Sequence, residues 1–572
     1  MDRHIRTGVN RKLVRQTANH PAVNSDSTSQ RKQSSHHVES ANGVVVSVSS
    51  HASDVGLSVL KQGGNAVDAA IATAFALAVT CPPAGNIGGG GFMLVHPESH
   101  CGAPTVFDYR ETAPSGAWKD MYTRDESQFT HRAVATPGTI RGMELAHRRF
   151  GTLPWSELLQ PAIELADEGF CLDAAVAKST SEILAVSSEF GELQRTYGKP
   201  GGGTWAAGDL MKLPDLARTL RLLAHEGPEC FYVGEIGRRI AIEMGASGGL
   251  ITSKDLSAYR AIERTPAQTR YRDGFHIYTA PAPSAGGLCL LAELNILNNF
   301  EISASKRWSA STIHLLIETM RRAQCDRARF IGDPEFVQIP SWIASTDHGR
   351  QQSLEINRTR VTPSISLAPE LCISPEGPST THFGVIDRNG MAVSNTYTLE
   401  RRWGSRIVVP GMGFLLNNNM RAFNLFQGQT DTRGAVGTAP NVIEPNKRPI
   451  SSMAPTIVVK DDQVKLITGS TGSRAIPNTI LNILVSALDY DMPLEDAVSA
   501  PRISHEWFPD HVRFEMPERV PETVRSLREM GHKIVAPTPL PFQGDAHSIG
   551  VLSDGTRVGV ADTRISGKAS GY

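Results

Sequence analysis

A chain of 572 residues that is 40% hydrophobic and 20% charged has the composition of a globular protein with a sizeable buried core. Its 57 Lys and Arg nearly balance 58 Asp and Glu, giving a formal charge of −1, so no global electrostatic pull toward nucleic acid or an anionic membrane is expected. The seven cysteines form no CxxC pair, and neither an H-E-x-x-H run nor an EF-hand spacing occurs, so the chemistry is expected to need no metal and no cofactor.

In chain order, residues 1–43 are rich in Ser, Arg, Lys, Gln and His and lack an apolar run, which reads as a disordered basic tail and leans the expected compartment toward the cytoplasm. Residues 44–48 are β-branched and read as a strand. A helix over 53–62 follows, stopped by Gly63-Gly64, and a second helix begins at Asn65. That second helix is apolar nearly all round and falls short of the roughly 20 residues a bilayer requires, so it is expected inside a layered structure and no membrane span is expected. The glycines of Gly85-Asn86-Ile87-Gly88-Gly89-Gly90-Gly91 precede a strand over 92–96 instead of opening a helix, which favours packing or the lining of a site over a phosphate cradle. Helical periodicity over 138–170 and 213–244 supplies covering layers. A strand over 275–278 leads through Pro281-Ala282-Pro283-Ser284-Ala285-Gly286-Gly287 into a helix over 288–298, the kind of loop that borders a cleft. Residues 360–379 contain Pro363, Pro369, Pro375 and Pro378 without a sustained period and read as an internal linker.

At the end of that linker, Gly377-Pro378-Ser379-Thr380 gives way to the alternating run Thr381-His382-Phe383-Gly384-Val385-Ile386. Turn chemistry at Asp387-Arg388-Asn389-Gly390 then precedes a second strand over 391–399. A three-residue loop ending in a left-handed Gly390 sets Asp387 opposite Met391 and carries Thr380 opposite Thr398; a two-residue loop would select Tyr397 instead. If the chain cuts itself before Thr380, the new α-amine, whose ordinary pKa is about 7.7 to 8.0, can accept the hydroxyl proton near neutrality, and no histidine is needed. Spacing alone leaves open that Thr380, Thr381 and Thr398 are ordinary strand residues.

Several motifs together resemble the gamma-glutamyltransferase family of N-terminal-nucleophile hydrolases, over nearly the whole chain from about Gly43. They are Gly63-Gly64-Asn65-Ala66-Val67-Asp68-Ala69, Asn86-Ile87-Gly88-Gly89-Gly90-Gly91-Phe92, Arg110-Glu111-Thr112-Ala113-Pro114, Thr380-Thr381-His382-Phe383, Asn395-Thr396-Tyr397-Thr398-Leu399, and Lys447-Arg448-Pro449-Ile450-Ser451-Ser452-Met453-Ala454-Pro455-Thr456. The resemblance implies an α/β (α+β) fold, a four-layer αββα sandwich. It also implies a proenzyme that cuts itself between Ser379 and Thr380 into a large subunit, 44–379, and a small catalytic subunit, 380–572, which remain together as a heterodimer. Thr380 would attack a glutathione-like γ-glutamyl donor and pass the acyl group to water, an amino acid or a dipeptide, with Thr398 beside it.

The resemblance further implies an oxyanion hole from a Gly-Gly pair, here Gly472 and Ser473, one glycine short. Arg110 would grip the donor's α-carboxylate bidentately, with Ser451 and Ser452 as hydroxyl and amide partners. At the ammonium end stand Glu400, Asn419 and Ala422. The first two can accept hydrogen bonds from an ammonium. Ala422 cannot, and it occupies a position where many members carry an aspartate, removing a contact of roughly 1.5 to 3 kcal/mol. Arg401, Arg402 and Arg421 nearby are expected to be solvated charges on surface loops. Two rivals stay open: an amidohydrolase for acyl groups without the α-amine, such as glutaryl or oxamate-type amides, and a non-catalytic relative kept as a binding scaffold.

Overall fold

The computed structural model describes residues 35–98, 101–368, 380–430, 437–537 and 543–572. Most of the basic tail, Cys372 and Ser379 lie outside the described residues.

Two seven-stranded sheets, each paired antiparallel throughout, form the centre. The first runs Lys568–Gly571, Val44–Ser47, Thr381–Ile386, Ala392–Thr398, Gly90–His96, Thr105–Asp108, Ile262–Arg264. The second runs His37–Ser40, Arg557–Val560, Ser548–Val551, Gln463–Thr468, Thr456–Lys460, Phe275–Thr279, Ala267–Tyr271.

Period-two alternation decides which face each residue serves. In the first sheet Val45, Met93, Val95, Phe383, Val385, Val393 and Tyr397 pack against the helices, while Val44, Val46, Phe92, Leu94, Ile386 and Ala392 meet Ile457, Val459, Ile467 and Ile549 of the second sheet. The helix Ala66–Thr80, buried at all its 15 positions, backs the first sheet. The helices Ala285–Leu297, Ala310–Phe330 and Ile476–Leu488 back the second. Helices, two apposed sheets and helices again make the expected αββα sandwich.

The core helix starts where it does because Asn65 and Asp68 form a reciprocal capping box, and Asp68 also accepts from the Thr152 amide at 3.0 Å. The hairpin has the expected register: Thr381 pairs with Tyr397 and Ile386 with Ala392. Asp387 builds its loop, accepting at Oδ1 from the N–H groups of Asn389 (2.9 Å) and Met391 (3.1 Å), with Gly390 left-handed. Its other oxygen accepts from Ala66 at 2.9 Å, which docks the hairpin on the N-terminus of the core helix.

Two elements differ from expectation. His37–Ser40, placed in a disordered tail by composition, is an edge strand paired with Arg557–Val560. The helix expected to open at 288 begins at Ala285, because the Ser284 hydroxyl caps it by accepting from the Gly287 N–H at 3.0 Å. Residues on both sides of Thr380 contribute strands to both sheets, so a cut there leaves two interlocked fragments that cannot part without unmaking the sheets.

Glu293, on the helix Ala285–Leu297, is fully buried, with the Cys289 thiol as its partner among the described residues, and burial pushes its carboxyl up to about 8. A carboxyl raised in the native state holds a proton that the unfolded chain has released, so stability falls as pH rises from about 4.5 to 8. Glu293→Gln is expected to remove that slope. Urea unfolding at pH 6 and pH 9 checks this: the variant gains on the parent at the higher pH.

Candidate active site

Continuing the hairpin register by one residue sets Thr380 across from Thr398, which itself pairs with Gly90 of the next strand. Glycine is required at 90, since a Cβ there would lie 2.5 Å from the Tyr109 carbonyl and 2.6 Å from Glu111 Oε2. Thr398 Oγ1 accepts the Glu400 N–H at 2.8 Å and stabilises a left-handed Glu400, with φ +78°. Thr380 borders two cavities. The smaller, about 40 Å³, is lined by Thr380, Thr398, Arg110, Arg327, Glu400, Ala422, Ser451, Ser452 and Ser473 among others. The larger, about 220 Å³ and mostly apolar, is lined by Thr380, Gly472, Arg402, Asp173, Arg513 and Asp545 among others. Seven of the nine residues singled out from the sequence therefore surround one small chamber. Gly472 opens onto the other, and Asn419 lines neither.

Arg110 is 1% exposed and held at the end of the strand Thr105–Asp108. Its NH1 donates to Glu111 Oε2 at 2.9 Å and to Asn419 Oδ1 at 2.7 Å, Nε donates to the Pro449 carbonyl at 3.2 Å, and NH2 donates to the Ile450 carbonyl at 3.2 Å. Four of the five guanidinium hydrogens are thus spent on the protein, and among the described residues one NH2 hydrogen has no acceptor. Asn419 belongs to the same ring. Its Oδ1 accepts from Arg110 and its Nδ2 donates to Glu111 Oε1. Glu111, to which the sequence assigns no role, closes this ring. Burial raises its carboxyl to about 7 against the opposing pull of Arg110, with Glu400 adding to the rise.

The two serines follow Pro449 in an extended segment tied to the loop before the helix Ala285–Leu297: the Ser451 N–H donates to the Pro283 carbonyl, and Gly286 N–H donates to the Ser451 carbonyl, both at 3.0 Å. Ser451 Oγ accepts from the Met453 N–H at 3.1 Å, and Ser452 Oγ accepts from Arg327 NH2 at 3.0 Å. Arg327 was not legible in advance. It lies on the helix Ala310–Phe330 among other arginines, and only the fold brings it to the chamber.

Gly472 has φ +115° and Ser473 φ +55°, immediately before the 3-10 turn Ser473–Ala475 that leads into the helix Ile476–Leu488. Among the described residues, neither N–H has a hydrogen-bond acceptor, and both sit at the positive end of that helix. The left-handed Ser473 costs roughly 1–2 kcal/mol relative to glycine. The loop is held from behind by Asp545, whose carbonyl accepts from the Thr471 N–H at 3.0 Å and whose N–H donates to Thr471 Oγ1 at 3.0 Å. A Cβ at Gly472 would approach the Gln543 carbonyl oxygen to 2.3 Å. Gly472→Ala is therefore expected to displace the N–H pair and lower kcat by about 10²- to 10³-fold with little change in KM, as steady-state kinetics will report.

The three nearby arginines are not all solvated. Arg402 is exposed but lines the larger cavity, and Arg421 is half-buried with its guanidinium 4.7 Å from the Tyr122 ring centroid. Inside the sandwich, His382 bonds Thr396 Oγ1 at 2.9 Å. Burial, with His547 nearby, holds its ring at about 3, so it stays neutral.

An αββα sandwich of antiparallel sheets, with a threonine at the head of an inner strand beside two cavities, defines the class of N-terminal-nucleophile hydrolases. The chain belongs to the gamma-glutamyltranspeptidase family, whose model matches residues 52–572. It is 40% identical over 551 residues to the glutathione hydrolase proenzyme of Escherichia coli (strain K12), covering 94% of this chain and 93% of that one. It is 35% identical over 546 residues to the acylase ACY 1 proenzyme of Pseudomonas sp. (strain V22), covering 92% of each. The solved cephalosporin acylase from Bacillus halodurans superposes with a TM-score of 0.83 at 26% identity, covering 96% of this chain and 99% of that one. Among the described residues no helix is long and apolar enough to cross a membrane.

Proposed function

We propose that this protein is a self-processing γ-glutamyl hydrolase/transferase acting on glutathione or related γ-glutamyl amides, with Thr380 as the nucleophile. The observation that carries the reading is the position of Thr380, opposite Thr398 and between two cavities, one of which ends in Arg110 and two serines. Cleavage before Thr380 frees an α-amine that takes the proton from the threonine hydroxyl as Oγ attacks the γ-carbonyl carbon. The developing oxyanion is met by the Gly472 and Ser473 N–H groups. The same amine returns the proton to the departing nitrogen, leaving a γ-glutamyl ester on Thr380. Water, an amino acid or a dipeptide then attacks that ester from the larger cavity, and the two interleaved fragments work as a heterodimer.

Among the described residues that line the small chamber, Glu400 carries a carboxylate that can receive the donor's α-ammonium, with Ala422 on the same wall. A second reading, hydrolysis of glutaryl-type amides lacking that amine, is favoured by Ala422 and by likeness to the Pseudomonas acylase. Comparing release of nitroaniline from γ-glutamyl and glutaryl 4-nitroanilide decides between them. The proposal expects the γ-glutamyl compound to turn over faster, and a faster glutaryl reaction overturns it. Intact-mass analysis and N-terminal sequencing should find a fragment beginning at Thr380.

A further inference from the structure

Because Arg110 has one uncommitted hydrogen, the small chamber needs other donors to hold both oxygens of a carboxylate. Arg327 stands on the chamber wall, 5% exposed, on the long helix Ala310–Phe330, which joins no strand of the hairpin. Its NH2 donates to Ser452 Oγ at 3.0 Å. Ser452 lines the chamber, and an oxygen that already receives a guanidinium N–H leaves its own hydrogen to be donated to another acceptor. Ser451 is arranged the same way by the Met453 N–H.

We propose that Arg327 is a positioning and specificity-determining residue: acting through Ser452, it makes the chamber select acyl donors that carry a free carboxylate. The proposal rests on the acyl-transfer reading of the chamber but not on the α-amine, because γ-glutamyl and glutaryl amides both present a carboxylate at that end.

The test uses purified, self-processed enzyme and three donors: γ-glutamyl 4-nitroanilide, glutaryl 4-nitroanilide, and the γ-glutamyl compound with its α-carboxylate converted to a carboxamide. Arg327→Gln is expected to raise KM about 10- to 100-fold for the two carboxylate donors, with kcat within about threefold, while kcat/KM for the carboxamide stays at the parent value. Arg327→Lys should recover part of the loss. In a Ser452→Ala background, Arg327→Gln should cost less than about threefold, since the route through the hydroxyl is already gone. Equal losses on all three donors, a loss confined to kcat, or additive effects of the two substitutions overturn the proposal. Should Arg327→Gln fail to fold or self-process, the parent enzyme and Ser452→Ala decide: a parent that treats carboxamide and carboxylate alike, or a Ser452→Ala enzyme that does not lose the distinction, rejects it. A parent active on the glutaryl donor but not on the γ-glutamyl donor sinks the function proposed above and leaves Arg327 to be read on the glutaryl donor. Inactivity on both carboxylate donors sinks both.

Discussion

Thr380→Ala is expected to accumulate as one uncut chain of 61.8 kDa, with turnover of γ-glutamyl 4-nitroanilide at least about 10⁴-fold below the parent. Two separate steps fail at once. The methyl group cannot attack the preceding carbonyl, so no new chain end forms, and the uncut chain has neither hydroxyl nor free amine at position 380. Thr380→Ser keeps the hydroxyl and is expected to process and turn over, more slowly, because serine lacks the γ-methyl that restricts χ1 in a β-branched residue. Denaturing gels over time separate processing from catalysis. Wild-type processing or turnover in the alanine variant would refute the assignment of Thr380 as the nucleophile. Because both sheets draw strands from both sides of position 380, the uncut variant should still be folded, with a cooperative melt close to the parent's.

The hairpin was legible because its determinants are local. Asp387 and Gly390 fix the loop, the loop fixes the register, and the register fixes which threonine faces Thr380. The buried helix was legible for a similar reason, since a helix without a polar face can only lie inside. His37–Ser40 was not, because four residues of mixed polarity acquire strand character only from a partner strand near the other end of the chain. The residues around Arg110 mark the limit most clearly. Family likeness named Arg110 and Asn419 as ligands of opposite ends of a substrate, yet the fold bonds them to each other and to Glu111. Side-chain type and spacing do not say which donors a neighbour has already taken. Arg327 escaped notice on the same ground: no local signal sets it apart from Arg321, Arg322 and Arg329 on its helix.

Arg110→Met is the second large effect expected, and it should fall on stability and catalysis through different partners. On the function proposed above, the substitution removes the N–H that meets the donor's carboxylate, and kcat/KM is expected to drop by about 10³-fold or more. It also leaves Glu111, fully buried, without its cation, a loss that typically costs about 3–5 kcal/mol. With Arg110 present the Glu111 carboxyl sits at about 7, so the native state keeps a proton that the unfolded chain gives up, and stability falls as pH rises from about 4.5 to 7. Without the guanidinium that opposes the rise, the window extends to higher pH, and the variant should be least stable, relative to the parent, above pH 7. Adding Glu111→Gln removes the ionisable group. The double variant should therefore recover most of the lost melting temperature at pH 8 and none of the lost kcat/KM. Recovery of both would mean that Arg110 serves the fold alone. Recovery of neither would mean that the ring of Arg110, Glu111 and Asn419 is held by something other than the charge pair at its centre.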